Sequence, residues 1–167
     1  IKIAIELVRK KQADILMKGL VDTADLISAV LDKDNGLRAD RLLSHVAVFE
    51  VRGYKRLILM TDAGLNIAPH FTEKVEIAQN AIELAHKLGI REPKIAAITA
   101  IEKVNYPNMS ATLEAAYLAK MSDRHQITGA IIDGPLALDN AVSIESCRHK
   151  GIKSPVAGCA DILLMPD

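Results

Sequence analysis

Polar side chains that could do chemistry follow several short apolar runs of this sequence. Thr61 and Asp62 follow one such run, Thr99 follows a second and Asp133 follows a third. Carboxylates in these positions could act as a general base or as ligands of a cation. Aspartate at the end of a strand also commonly serves only to cap a turn, so both interpretations of Asp62 and Asp133 stay open.

A second candidate is the polar loop 100–110, which precedes a predicted helix. The loop contains Lys103 and Asn105, and the first turn of the helix offers Ser110 and Thr112. Free N–H groups at a helix N-terminus, beside hydroxyls and a lysine, can hold a phosphate. Ordinary capping of the helix by Ser110 is the alternative.

Other standard sites are not indicated. The sequence contains no G-x-G-x-x-G, G-x-x-x-x-G-K-[ST], G-x-S-x-G or H-E-x-x-H pattern. Cys147 and His149 are two positions apart on a predicted helix and therefore point away from each other. His45, His70 and His125 have no partner at metal-ligand spacing, so we expect no metal site.

Composition excludes several classes of protein. The 167 residues are 50% hydrophobic and 25% charged, with a formal net charge of +0, which argues against nucleic acid or an anionic membrane as partner. No apolar run approaches the roughly 20 residues of a membrane span. Two cysteines cannot build a disulfide scaffold, and we expect a cytoplasmic protein. Because the chain opens on Ile1 within a helical pattern that has no N-cap, we expect a piece of a longer protein.

The elements that must position these residues alternate between helix and strand, with one hairpin inserted. We predict helices over 1–10, 22–33, 72–88, 110–121 and 138–150, and strands over 14–17, 44–51, 56–62, 94–99, 129–133 and from 161 onward. Thr72 and Ser110 are the predicted caps of two helices, and Asn35-Gly36 is the predicted left-handed end of another. This order predicts a layered α/β fold whose sheet is mostly parallel. Ligands of such folds bind outside the carboxyl ends of the strands.

Several blocks of sequence, taken together and in order, resemble one family. They are 14–21 (DILMKGLV), 44–49 (SHVAVF), 61–69 (TDAGLNIAP), 133–142 (DGPLALDNAV), 150–158 (KGIKSPVAG) and 160–164 (ADILL). These blocks resemble the phosphate acetyl/butyryltransferase family over essentially the whole chain. The continuation of D-G-P-L by Ala-Leu-Asp-Asn is similar to its butyryl-transferring members rather than its acetyl-transferring ones.

The resemblance implies an enzyme that interconverts butyryl-CoA plus phosphate and butyryl phosphate plus CoA. It implies coenzyme A as a substrate, no tightly bound cofactor, no metal, and a homodimer or higher homo-oligomer. The implied fold is a three-layer α/β/α sandwich like that of the isocitrate and isopropylmalate dehydrogenases, of which only part is present. Residues 1–33 would end the first α/β domain and residues 34–167 would form the second.

The resemblance also implies where the site lies. A catalytic Ser-Arg pair and an aspartate of acetyl-transferring relatives fall after the end of this chain, and a further arginine falls where this sequence has Ser28. The remaining wall of the cleft supplies Asp62 and Asp133 as catalytic candidates. The candidates for binding substrate or phosphate are Lys18, Thr61, Asn66, Lys103, Asn105, Ser110, Thr112, Gly134, Pro135, Asn140, Ser154 and Gly158.

Three alternatives to butyryl transfer remain open. The chain could belong to a phosphate acetyltransferase. It could be a non-catalytic or truncated paralogue that serves as a CoA-binding or oligomerisation module, and the fragment alone need not be active. Finally, Asp62 and Asp133 could hold a divalent metal in a hydroxy-acid dehydrogenase of the same fold.

Overall fold

A computed structural model describes residues 1–167, which form two compact units, Ile1–Arg41 and Leu42–Asp167. The helices are α1 Lys2–Arg9, α2 Thr23–Val30, α3 Phe71–Lys87, α4 Ser110–Asp123, α5 Leu138–Val142 and α6 Ile144–Lys150. The strands are β1 Ala47–Glu50, β2 Leu57–Thr61, β3 Lys94–Ile98, β4 Ile131–Leu136 and β5 Ile162–Leu164. None of the helices combines the length and the apolar character that crossing a bilayer would require.

The first unit contains α1 and α2. Asp22 caps α2, and its side chain accepts a 2.8 Å hydrogen bond from the Ala24 N–H. The helix ends at Val30 rather than at residue 33 as predicted, because the Asp32 carboxylate accepts the N–H groups of the two residues that follow Lys33 and forms a competing turn. The predicted left-handed conformation at Gly36 was also wrong, since its φ is not positive.

The predicted buried strand at 14–17 was wrong. This segment is irregular, and the side chains of Ile15 and Met17 are 83% and 88% exposed. A strand needs a neighbour to satisfy its N–H and C=O groups, and the first unit contains no other strand. An apolar run alone could not reveal that no partner stands beside it.

The second unit is built on a five-stranded sheet with the order β1-β2-β5-β3-β4. The predicted hairpin is confirmed, because β1 pairs antiparallel with β2, with Ala47 opposite Met60. All other neighbours pair in parallel. The sheet is therefore mixed and mostly parallel, as the alternation of elements predicts.

Both faces of the sheet are covered, since alternate residues of the inner strands enter different cores. Leu59, Ile95 and Ile162 pack with α3 and α4 on one face. Ile58, Ala96 and Leu163 face the other core, which includes α5 and the segment 156–160. Its members are Ile58, Ala96, Ile98, Leu136, Ala141, Val156, Ala160 and Leu163. The prediction that β2 is covered on both faces is confirmed.

The starts of the two long helices differ from the prediction. His70, not Thr72, is the N-cap of α3, and its N–H donates to the Glu73 carboxylate at 2.7 Å. Met109, not Ser110, is the N-cap of α4, so Ser110 is the first helical residue. In each case the helical pattern was correct, but the first turn begins one or two residues away from the residue type that favours capping.

The strand β4 continues three residues beyond its predicted end. Asp133 therefore lies inside β4, opposite Ala96 of β3, rather than at the carboxyl end. An edge strand tolerates Asp133 and Pro135 because one side of its backbone needs no partner. The helix predicted over 138–150 is also divided, because Ser143 ends α5 and its hydroxyl accepts the Ser146 N–H at 3.2 Å.

Candidate functional site

Two polar clusters lie beyond the carboxyl ends of the strands in the second unit. We call Thr61, Asp62 and Asn66 the Asp62 cluster, which begins at the last residue of β2. We call Glu102, Asp139, Asn140 and Lys150 the Glu102 cluster, which joins the loop after β3 to α5 and α6. This edge is where ligands of parallel sheets bind.

The Asp62 carboxylate is held by four donors. One oxygen accepts the N–H groups of Gly64 at 2.9 Å and Leu65 at 2.8 Å. The other accepts the His45 N–H at 3.1 Å and the Asn66 side-chain amide at 2.7 Å. Burial by itself raises the pKa of Asp62, but these hydrogen bonds outweigh burial and hold the pKa below the ordinary value of a carboxyl. The group is therefore a stable anion that organises the loop after β2.

The rest of the Asp62 cluster ties the same loop to the segment before β1. The Thr61 side chain is fully buried, and its hydroxyl donates to the His45 carbonyl at 2.8 Å. The Asn66 amide also donates to the Leu43 carbonyl at 3.0 Å. The hydroxyl and amide hydrogens that a ligand would need are thus engaged within the protein.

The two candidate catalytic carboxylates are not neighbours. Asp62 follows β2 and Asp133 lies on β4, and two strands separate β2 from β4 in the sheet. Three interstrand spacings amount to about 14 Å. Because oxygen ligands of a divalent cation lie about 2.0–2.6 Å from it, one ion cannot bridge these two carboxylates.

The block 133–135 serves the packing of β4. The Asp133 carboxylate accepts the Gly134 N–H at 2.9 Å. A Cβ on Gly134 would lie 2.8 Å from the Ala97 Cβ and 3.2 Å from the Ala115 Cβ. Glycine is therefore required for the close approach of β4 to β3 and α4.

The side chain of Thr112 holds the loop before α4 together by hydrogen bonds. Its fully buried hydroxyl donates to the Met109 carbonyl at 2.7 Å and accepts the Asn105 N–H at 2.8 Å. Lys103 and Ser110 are exposed. Of the four predicted anion-binding residues, Thr112 is occupied by the loop itself, whereas Lys103, Asn105 and Ser110 remain open to solvent.

The Glu102 cluster contains the one buried side-chain atom without a hydrogen-bond partner in the protein. Asn140 is 0% exposed, its amide nitrogen lies 3.4 Å from the Glu102 carboxylate, and its Oδ1 accepts no hydrogen bond. Lys150 lies 3.5 Å from Glu102 and 3.2 Å from Asp139, and the hydrogen bond to Asp139 raises the pKa of Lys150. A buried acceptor without a donor is costly, which makes Asn140 a candidate to receive one from a ligand.

The predicted loop 154–158 is ordered by hydrogen bonds within it and to α5. The Ser154 hydroxyl accepts the N–H groups of Val156 at 3.1 Å and Ala157 at 3.0 Å. Gly158 has a φ of +75°, and a Cβ there would lie 2.7 Å from the Ile144 Cα. Gly158 thus allows the loop to pack closely against the start of α6, and its N–H donates to the Asn140 carbonyl of α5 at 2.7 Å.

Lys18 belongs to the first unit, where its ammonium donates to the carbonyls of Gly19 at 3.3 Å and Val21 at 2.9 Å. Within the second unit, the sequence-predicted residues lie in the Asp62 cluster, the loop before α4, the strand β4, the helix α5 and the loop 154–158. Sequence reasoning missed Glu102, Asp139 and Lys150. Asp139 stands in the recognised block beside Asn140, so its position next to a candidate ligand residue was the available signal.

The comparisons with known proteins agree with one another. The chain is 54% identical over 164 residues to the phosphate butyryltransferase of Clostridium beijerinckii, and the match covers 98% of the chain and 54% of that relative. It is 45% identical over 166 residues to the phosphate acetyltransferase of Thermotoga maritima, covering 99% of the chain and 56% of that relative. The chain thus spans about half the length of the curated relatives it matches.

A solved structure supports the same assignment. The crystal structure of a branched-chain phosphotransacylase from Enterococcus faecalis V583 superposes with a TM-score of 0.90 at 39% sequence identity, covering 99% of this chain and 58% of that one. The family model described as phosphate acetyl/butaryl transferase matches residues 1–167. The resemblance drawn from the sequence blocks is therefore confirmed, and the chain belongs to the phosphate acetyl/butaryl transferase family.

Proposed function

We propose that the protein transfers a butyryl group between coenzyme A and phosphate. The observation that carries this proposal is the family match over residues 1–167, together with 54% identity to a phosphate butyryltransferase against 45% to a phosphate acetyltransferase. Coenzyme A is a substrate in this proposal, and no tightly bound cofactor takes part.

The reaction has three chemical requirements. A base must generate the thiolate of coenzyme A, an anion site must hold phosphate, and donors must stabilise the oxyanion at the acyl carbonyl. The open N-terminal turn of α4, with Ser110, Lys103 and Asn105 nearby, suits the anion site. The buried Asn140 Oδ1 suits a substrate N–H or hydroxyl. Asp62 acts in this proposal as a positioning residue because all its lone-pair directions are engaged.

The fold and assembly form part of the same proposal. The second unit would be one α/β domain of a two-domain enzyme like the isocitrate and isopropylmalate dehydrogenases, and the segment before residue 34 would belong to the other. A homo-oligomer is supported by Val48 and Phe49 on the edge strand β1, which are 44% and 43% exposed. A cytoplasmic location accords with two free cysteines and a net charge of +0.

The metal-dependent dehydrogenase alternative has no geometric support. It requires Asp62 and Asp133 to share a cation, and these residues are separated by about three strand spacings. Asp62 would also have to give up hydrogen bonds that hold its loop.

The deciding experiment measures the release of the CoA thiol from butyryl-CoA by the full-length protein, with and without phosphate. Acetyl-CoA and a branched-chain acyl-CoA serve as parallel substrates, the latter because of the likeness to a branched-chain phosphotransacylase. We expect phosphate-dependent release with the highest kcat/KM for butyryl-CoA. A higher kcat/KM for acetyl-CoA would mean that the protein is an acetyltransferase rather than a butyryltransferase. If the folded protein released no thiol from any of the substrates, the transferase proposal would be refuted.

A further inference from the structure

A lysine and a cysteine lie in contact at the opposite edge of the sheet from the two polar clusters. Lys94 is the first residue of β3, and Cys159 lies three residues before the start of β5. Because these strands are parallel, both residues lie at their amino ends. The Lys94 Nζ is 3.3 Å from the Cys159 Sγ.

The backbone fixes this pair. The Asp161 N–H donates to the Lys94 carbonyl at 2.8 Å, and the Lys94 N–H donates to the Asp161 carboxylate at 3.0 Å. The Cys159 N–H donates to the Val156 carbonyl at 3.0 Å, and Val156 is fully buried. These main-chain bonds place the backbones of Lys94 and Cys159 beside each other, and the 3.3 Å contact joins their side chains. Both residues are half-buried.

We propose that Cys159 and Lys94 form an acyl-accepting pair in which Lys94 is modified by acyl-CoA thioesters. This inference takes its acyl donor from the proposed function but does not require turnover. Neither residue belongs to the site described above.

The chemistry proceeds in two balanced steps. The deprotonated Cys159 Sγ attacks the carbonyl carbon of the acyl-CoA, the C–S bond to coenzyme A breaks, and coenzyme A leaves as a thiolate that takes up a proton. The Lys94 amine, after losing a proton to water, then attacks the same carbon. The bond to Sγ breaks, an amide forms, and the Cys159 thiol is restored. The net reaction consumes one acyl-CoA and one lysine and yields acyl-lysine and free coenzyme A.

Proximity is the reason for the effect. Amines attack thioesters slowly from solution. An amine 3.3 Å from the sulfur that carries the acyl group lies beside the carbonyl carbon and gains a large effective concentration. Cys147 is the natural contrast. Its thiol is buried, hydrogen-bonds to the Asn140 carbonyl at 2.9 Å, and has a pKa that burial raises.

The test incubates the purified full-length protein with butyryl-CoA in the absence of phosphate and maps acylated peptides by mass spectrometry before and after hydroxylamine treatment. Hydroxylamine removes thioesters but leaves amides. We expect an amide-linked butyryl group on Lys94, and Cys159→Ser should reduce that modification by about tenfold or more. Cys147→Ser should leave it unchanged, and Lys94→Arg should leave a hydroxylamine-sensitive butyryl group on Cys159.

The rate of butyrylation of Lys94 is compared with that of Lys120, an exposed lysine that lies 3.1 Å from the Asp123 carboxylate. Equal labelling of Lys94 in the wild type and in a Cys159→Ser variant with an unchanged melting temperature would overturn the inference. Labelling of Lys94 no faster than Lys120 would do the same. Because phosphate is absent, a failure of the transferase activity leaves this readout intact, and the two failures are distinguishable.

Discussion

Individual side chains at the carboxyl edge of the sheet divide into those that hold loops and those that stay available. The Asp62 carboxylate accepts four hydrogen bonds within the protein, and the Thr112 hydroxyl both donates one and accepts one. Asn140 is the opposite case, since its buried oxygen receives no donor. A buried acceptor without a donor is costly, and we predict that the substrate supplies that donor.

Asp62→Asn should reduce the free energy of unfolding by about 2 kcal/mol at neutral pH. The substitution removes the charge of the acceptor and places a second amide NH2 group opposite the Asn66 amide, which needs an acceptor. Asp62 has a lower pKa folded than unfolded, so its contribution is present above the unfolded pKa and is lost as the pH falls through the folded one. Denaturant unfolding from pH 7 down to about pH 3 should show the variant and the wild type converging. A constant difference would contradict this account of Asp62.

Asn140→Leu tests the unpaired oxygen. If Oδ1 receives a substrate donor, the full-length variant should show a KM raised by about tenfold for butyryl-CoA or phosphate, while its stability stays within about 1.5 kcal/mol of the wild type. Loss of stability with unchanged KM would assign Asn140 a purely structural role. Leu138→Ala, on an exposed neighbour in the same helix, is the matched control.

Sequence reasoning identified polar residues near the carboxyl ends of strands but could not assign their roles. Asp62, Asn66 and Asn140 all stood in the recognised blocks, yet nothing in their spacing showed that one acceptor was saturated and another was empty. The saturation of Asp62 depends on donors up to 17 positions away, such as the His45 N–H. Such contacts exist only after the chain has folded.

At the scale of elements, one ion pair joins the N-terminal parts of the two long helices. The Lys74 ammonium on α3 lies 2.6 Å from the Glu114 carboxylate on α4, with side-chain exposures of 9% and 30%. A cation near the N-terminus of a helix opposes the helix dipole, so Lys74 depends on its partner. This pair thereby fixes α3 against α4 above the sheet.

Glu114→Gln should therefore destabilise the protein by about 1–3 kcal/mol, because it leaves a nearly buried ammonium without its counter-charge. The double variant Lys74→Met with Glu114→Leu should recover much of this loss. Thermal unfolding of the single and double variants measures both effects. A double variant less stable than Glu114→Gln would contradict this expectation. It would show that the attraction between Lys74 and Glu114 exceeds the cost of burying their charges.

Gly134→Ala tests the packing of β4. The added methyl would lie 2.8 Å from the Ala97 Cβ and 2.9 Å from the Ala97 carbonyl, so we expect a loss of about 1–3 kcal/mol. Gly19→Ala, where nothing lies within 4 Å and φ is not positive, should change stability by less than about 0.5 kcal/mol. Equal melting temperatures for the wild type and Gly134→Ala would show that β4 can move away from β3.

The long elements were predictable because their periodicity is strong. The helix α3 and the antiparallel hairpin could be predicted from local sequence alone. The predictions for the segment 14–17 and for the end of β4 were wrong for the same reason. Whether a stretch of sequence becomes a strand depends on which strand lies beside it in the fold. The assignment of residues 1–33 to another domain stays a prediction.

At the scale of the molecule, burial is distributed unevenly between the two units. Ile5 is the only fully enclosed hydrophobic residue of the first unit, whereas both cores lie in the second. Small units with few buried side chains open at low free-energy cost.

Hydrogen exchange should show this difference. We expect amides of α1 and α2 to exchange faster than those of Leu59, Ile95 and Leu163 in the inner strands. Exchange measured by mass spectrometry on the chain Ile1–Asp167 checks this. Equal protection of α2 and β3 would mean that the two units unfold together.

The order of the strands has a consequence for the timing of folding. The short strand β5 occupies the middle of the sheet, between β2 and β3, although it is the last of the five to be synthesised. A growing chain thus exposes the open edges of β2 and β3 until residues 162–164 leave the ribosome. The sheet closes late, and a nascent chain stalled before Ile162 would present two apolar edges to any neighbouring polypeptide.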